Sequence, residues 1–110
     1  MAQILRFRVE KLIRDKLPGI MRAAGLSVIE ERMPAGREEQ RHWHQKSRQF
    51  FYVLEGELTM AFNDRVVTLP PRHGIEIAPE IPHQAKNTSD AETRFLVISQ
   101  PPSPGDRFTT

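Results

Sequence analysis

The sequence predicts an all-β domain preceded by a short helical appendage. Two observations carry this. From residue 26 onward the chain is a series of short β-like segments, "LSVIEERM", "REEQRHWH", "QFFYVLEGELTMAF", "RVVTLP", "GIEIAP", "HQAKNTS" and "TRFLVISQ". Between them lie turn residues: Pro34-Ala35-Gly36, Glu55-Gly56, Asn63-Asp64, Pro70-Pro71 and the polar run 87–90. Many short strands separated by tight turns describe a sandwich or barrel.

Each element follows from its local pattern. In residues 9–24 the apolar Leu12, Ile13, Leu17, Ile20, Met21 and Ala24 recur at spacings of three and four, the period of a helix with one apolar face. Pro18 disfavours helical geometry at Leu17 and Gly25 is a natural C-terminal stop, so residues 1–25 form two short helical pieces. Residues 26–100 form the β domain, with no internal repeat. The segment "PPSPGDR" is too rich in proline for a strand, and residues 101–110 read as an extended tail.

Bulk properties narrow the function classes. A chain of 110 residues suits one domain with one core. Hydrophobic residues make up 38% and charged residues 27%, too apolar a mixture for wholesale disorder. No run approaches the roughly 20 apolar residues of a membrane span, and the N-terminus lacks the apolar stretch of a secretory signal. With no cysteine, disulfides and thiolate ligands are excluded. A cytoplasmic location and no membrane partner are expected. The net charge is +2, but residues 1–22 alone carry a surplus of four positive charges. No aromatic or glycine pattern of a nucleic-acid module accompanies that surplus, so it reads as a solvated helix face and no nucleic-acid partner is expected.

The chemistry-bearing stretch is "RHWHQKSRQFFYVLEG". Residues two apart on a strand share a face, so His42 and His44 project together while Trp43 faces away. Alone, such a pair is common on exposed strands. Here it falls in the frame Gly36-x5-His42-x-His44-x4-Gln49-x6-Gly56, followed by His83-x3-Asn87, and three of the chain's four histidines lie in it. The first frame resembles G-x5-H-x-H-x(3,4)-E-x6-G, the first motif of the cupin superfamily. The segment ending in His83-x3-Asn87 resembles its second, G-x5-P-x-G-x2-H-x3-N. There are departures. Gln49 stands where glutamate is usual, and in the second motif Arg72 and Glu80 occupy the glycine positions while Ala78 occupies that of proline, with Gly74 and Pro79 close by.

The resemblance implies a double-stranded β-helix, the cupin or jelly-roll barrel, in which His42, His44, Gln49 and His83 converge on one divalent transition metal. Imidazole donors suit iron, manganese, nickel or zinc. Gln49, Phe51 and Val53 share a strand face, so position 49 looks inward. Its neutral amide would bind weakly and leave a more Lewis-acidic ion, or act beside the metal by orienting a ligand. The resemblance further implies a homodimer with a small-molecule substrate or ligand, and oxygenase, isomerase and cyclase chemistries all occur on this scaffold. Because no general base is assignable, a non-catalytic ligand-binding or sensor protein with a structural metal or none is the alternative.

The remaining residues have plainer expectations. His73 is solvent-exposed in a turn. Trp43, Phe50 and Tyr52 face away from His44 and Gln49 and pack between sheets or protomers, while Phe51 and Val53, with Met60 or Phe62, wall the pocket. Glu38 and Glu39 are exposed strand charge unless one supplies a carboxylate to the site. The segment from Glu10 to Gly25 resembles the opening helix of MazG-like nucleotide pyrophosphohydrolases, but no paired acidic magnesium motif follows, so it is expected to pack on the barrel without nucleotide chemistry.

Overall fold

A computed structural model describes residues 25–110. The predicted helical pieces and the MazG-like stretch lie outside the described residues, apart from Gly25. The described chain is all strand: β1 (Ser27–Met33), β2 (His42–Trp43), β3 (Arg48–Glu55), β4 (Leu58–Ala61), β5 (Val66–Leu69), β6 (Gly74–Ile77), β7 (Gln84–Lys86), β8 (Thr93–Gln100) and β9 (Phe108–Thr109).

A four-stranded sheet runs in the order β1-β8-β3-β6, a three-stranded sheet in the order β5-β4-β7, and β2 pairs with β9. Every pairing is antiparallel. Isolated bridges from Glu38 to Lys86 and from His42 to His83 join the segment before β2 to the β7 region. Strands distant in sequence thus interleave, as in the expected double-stranded β-helix.

The alternation of β3 builds the core: Gln49, Phe51 and Val53 are buried, while Phe50 between them and Arg48 before them are exposed. Phe51 and Val53 join Leu58, Met60, Leu69, Ile77, Ala85 and Phe95 in one apolar cluster. On the outer face Phe50 and Tyr52 stack with centroids 6.4 Å apart, as their strand parity predicts.

Turn chemistry holds the strands in register. Gly56 adopts φ 84°, and a Cβ there would lie 2.8 Å from the Glu92 carbonyl, so only glycine fits the turn that joins β3 to β4. The second-motif turn reaches the same backbone conformation without glycine: Arg72 has φ 66° and Glu80 φ 73°. The Arg72 N–H donates to the Val53 carbonyl at 2.7 Å and the Glu80 N–H to the His44 carbonyl at 2.6 Å. These hydrogen bonds hold two non-glycine residues in a left-handed geometry that side chains disfavour. Asn87 closes the motif structurally. Its amide donates to the Met33 and Ala91 carbonyls at 2.9 and 2.7 Å while its oxygen accepts from the Ser89 N–H and hydroxyl.

Residues 101–110 do not run away from the domain as an extended tail. They turn back across the barrel mouth and end in β9 against β2, with Phe108 opposite Trp43 and Thr109 opposite His42. The prolines of 101–107 do keep that stretch out of the ladders, and pairing resumes only once the chain can donate its N–H groups again.

Candidate metal centre

Two segments bring the histidines together. His42 lies on β2, His44 follows one residue beyond it, and His83 precedes β7. His42 and His83 exchange backbone hydrogen bonds of 3.0 and 2.9 Å, which fixes their side chains as neighbours. The ring centroids stand 4.5 Å apart for His42 and His83, 4.9 Å for His42 and His44, and 5.7 Å for His44 and His83. One candidate ligand nitrogen from each ring lies within 4.8 Å of the others. All three side chains are buried.

Every imidazole is oriented in the same way. His42 Nδ1 bonds the Gln40 carbonyl at 2.8 Å, His44 Nδ1 the Asp106 carbonyl at 2.7 Å, and His83 Nδ1 the Ile81 carbonyl at 2.9 Å. A carbonyl only accepts, so each Nδ1 carries the proton and each Nε2 keeps its lone pair. The Nε2 atoms of His44 and His83 are buried with no hydrogen-bond partner. Burial lowers the pKa of all three rings, that of His83 to about 4, against the opposing pull of the carbonyls, and the positive charge of Arg107 lowers them further. They are therefore neutral at physiological pH, the form that coordinates a metal.

Gln49 is buried and lines the same cavity as His42 and His44. Its Nε2 donates to the Ser99 hydroxyl at 3.1 Å, leaving Oε1 buried without a partner. Orphaned buried acceptors are costly, about 1–3 kcal/mol each. Three of them lining one site are what the donor set of an imidazole-rich metal centre requires, so the residues present fit a divalent transition ion.

The site opens into a cavity of about 300 Å³. Ile29, Met33, Phe51, Phe95 and Val97 make it apolar on one side, and Glu31, Glu39, Ser103 and Arg107 stand among its polar residues. Val53 and Met60, expected as pocket walls, are fully buried in the core below. Phe51 does line the cavity, and its ring meets that of His83 edge-on at 6.1 Å. His73 is exposed and apart from the site, its Nδ1 bonded to the Pro71 carbonyl.

Sequence reasoning missed the residues that arrive from the C-terminal segment. The Asp106 carboxylate accepts the N–H groups of Gln45, Lys46 and Ser47 at 3.0, 2.9 and 2.8 Å while its carbonyl orients His44. Desolvation alone would raise the Asp106 pKa, but those three donors outweigh it and hold the group below the usual carboxylate range. Asp106 stands 62 positions from His44 and no motif spacing connects them. Glu39, expected as exposed strand charge, turns inward. Burial raises its pKa, its Oε1 accepts the Ala85 N–H at 3.1 Å, and that oxygen lies 3.9 Å from His42 Nδ1. The alternation of 38 and 39 was the available signal, since Glu38 and Glu39 must face opposite sides.

An antiparallel barrel of interleaved strands with three neutral imidazoles at its mouth defines a protein of the double-stranded β-helix class. The chain belongs to the cupin-domain family: the family model Cupin_2, Cupin domain, matches residues 29–99. An uncharacterized protein of Methanocaldococcus jannaschii is 29% identical over 92 residues, which cover 83% of this chain and 74% of that protein. The polyketide synthase CurC of Streptomyces cyaneus is 29% identical over 72 residues, 66% of this chain and 47% of CurC, so the chain spans about half that relative's length. Among solved structures, a cupin-superfamily sugar phosphate isomerase from Silicibacter pomeroyi superposes with a TM-score of 0.64 at 26% identity, covering 74% of this chain and 55% of that one.

Proposed function

We propose that the protein binds one divalent transition metal through His42, His44 and His83, with Gln49 Oε1 as the fourth protein donor, and acts on a small oxygen-bearing organic substrate in the adjoining cavity. The observation that carries this reading is a set of three buried, neutral imidazoles with one candidate ligand nitrogen of each within 4.8 Å of the others, and Gln49, whose amide oxygen is unpartnered, lining the same cavity as His42 and His44. A bound divalent ion supplies Lewis acidity to a substrate oxygen. The chain's own residues do the rest. Backbone carbonyls hold the ring protons at Nδ1, Phe51, Phe95 and Val97 shed water from the substrate body, and the neutral Gln49 leaves the charge of the site uncompensated where a glutamate would cancel part of it. Glu39, with its raised pKa, is positioned at the cavity to hold or release a proton. Isomerase or cyclase chemistry suits this set, and the resemblance to proteins named for polyketide and sugar phosphate supports an oxygen-rich substrate.

A homodimer belongs to the same reading: Phe50, Val66, Ile81 and Phe108 are large apolar residues left exposed. Metal analysis of untagged protein tests the site, with about one ion per chain expected. His42→Ala, His44→Ala and His83→Ala should each lose most of it while keeping the far-ultraviolet β signature. Full occupancy in all three variants would refute the assignment. Gln49→Glu should tighten metal binding, whereas unchanged affinity in both Gln49→Glu and Gln49→Ala would reduce the set to three histidines.

A further inference from the structure

The C-terminal strap across the barrel mouth is tied down on both sides of one residue. Before it, the Ser47 hydroxyl donates to the Pro101 carbonyl at 2.7 Å and the Asp106 carboxylate takes three backbone N–H groups. After it, Phe108 pairs with Trp43 and stacks on that ring at 4.6 Å. The residue between is Arg107. Trp43 faces away from the histidines, so Phe108 opposite it faces away too, and strand alternation turns Arg107 to the side of His42 and His44. It lines the metal cavity accordingly.

Its guanidinium is underused. Among the described residues its one hydrogen bond is to the Gln40 carbonyl at 3.5 Å, the long limit of such a bond, and no carboxylate lies within ion-pair distance of it. The other cavity arginine, Arg32, is paired with Glu92 at 2.9 Å. Because position 49 is neutral, no carboxylate at that position would offset the charge of a divalent ion, and Arg107 adds a further positive charge to the cavity. An anionic ligand answers that charge.

We infer that Arg107 is a specificity-determining residue that binds an anionic oxygen of the substrate, so that the ligand class is an organic anion with an apolar body, a second oxygen toward the metal and its carboxylate or enolate on the strap. The inference rests on the proposed metal site. A guanidinium presents paired donors that match a carboxylate, a geometry a lysine cannot reproduce. The apolar wall of Phe51, Phe95 and Val97 receives the rest of the molecule.

The test uses full-length protein and two probes of nearly equal shape, salicylate and its neutral amide salicylamide. Nickel is titrated first, and each probe is then titrated calorimetrically into the nickel-loaded protein. Wild type should bind salicylate about tenfold more tightly than salicylamide, the scale of one charge-assisted contact at a partly exposed site. Arg107→Gln should remove that preference and leave salicylamide affinity within about twofold, because only the charged contact is lost. Arg107→Lys should keep part of it. Failure of nickel to bind would refute the metal reading and this inference with it. Nickel binding with no salicylate binding, or with a salicylate preference that survives Arg107→Gln, would refute the role of Arg107 alone.

Discussion

The two ends of the barrel are built on the same strands and obey opposite rules. Along the paired inner faces of β3 and β8, Val53 opposes Phe95, Phe51 opposes Val97, and Gln49 opposes Ser99. The first pair is apolar and buried, with Val53 fully enclosed and Phe95 forming the floor shared with the cavity. The last is polar, joined by one hydrogen bond, and leaves an amide oxygen unpaired. Four residues along one strand therefore separate a closed core from a site held ready for a ligand. The difference teaches where stability and function reside: the closed end stabilises by burial, while the open end carries buried acceptors that destabilise the barrel until something binds them.

That comparison is open to direct challenge. At the closed end Met60 is fully buried among core residues, so Met60→Ala should cost about 2–5 kcal/mol in urea denaturation, without changing the number of metal ions bound per folded chain. A loss under 1 kcal/mol would mean the core relaxes around the gap.

Acid should strike the open end next. In the unfolded chain a histidine titrates near 6.5, while the folded pKa of His83 is lowered to about 4. Between those values the unfolded state binds more protons, so the metal-free protein loses stability as pH falls from about 6.5 toward 4 and the His83 contribution levels off below that. His42 and His44, also lowered, add in the same direction. Urea midpoints measured across this range should show the slope, and His83→Phe should flatten it.

A smaller effect is expected at the boundary between the two ends. Gln49→Leu removes an unpartnered buried oxygen and extends the apolar face of β3, so the metal-free protein should gain about 1 kcal/mol even though Ser99 loses a partner. Its metal affinity should fall. A destabilised variant would show that the amide is satisfied in the free protein.

The smallest effect belongs to the turns. Arg72 and Glu80 hold positive φ, and replacing either by glycine relieves that strain while adding freedom to the unfolded chain. The balance should favour Arg72→Gly by about 0.5 kcal/mol, readable as a small rise in melting temperature. Glu80→Gly should also leave the hydrogen bond to the His44 carbonyl intact, since it is made by the backbone.

Much of this architecture was legible in the sequence because it depends on local period. Alternation put Gln49, Phe51 and Val53 on one face, and His42 with His44 on another, whatever those faces pack against. The frame around these residues, extended to His83, carried the family. What escaped was set by contacts between distant segments. Whether an apolar residue lines the cavity or the core beneath it depends on depth in the barrel, which separated Phe51 from Met60. Likewise nothing in "PPSPGDR" distinguishes a free tail from a strap, because its proline content only keeps it out of the ladders.

The sequence by itself determined the strand periodicity, the turn sites and the residue types able to bind a metal, since these follow from backbone geometry and side-chain chemistry over a few neighbours. Only the tertiary structure decided that His83 stands against His42, that Asp106 orients His44, and that Arg107 enters the same cavity. Those placements arise from antiparallel pairing between strands far apart in the chain, whose partners no local pattern of residues records.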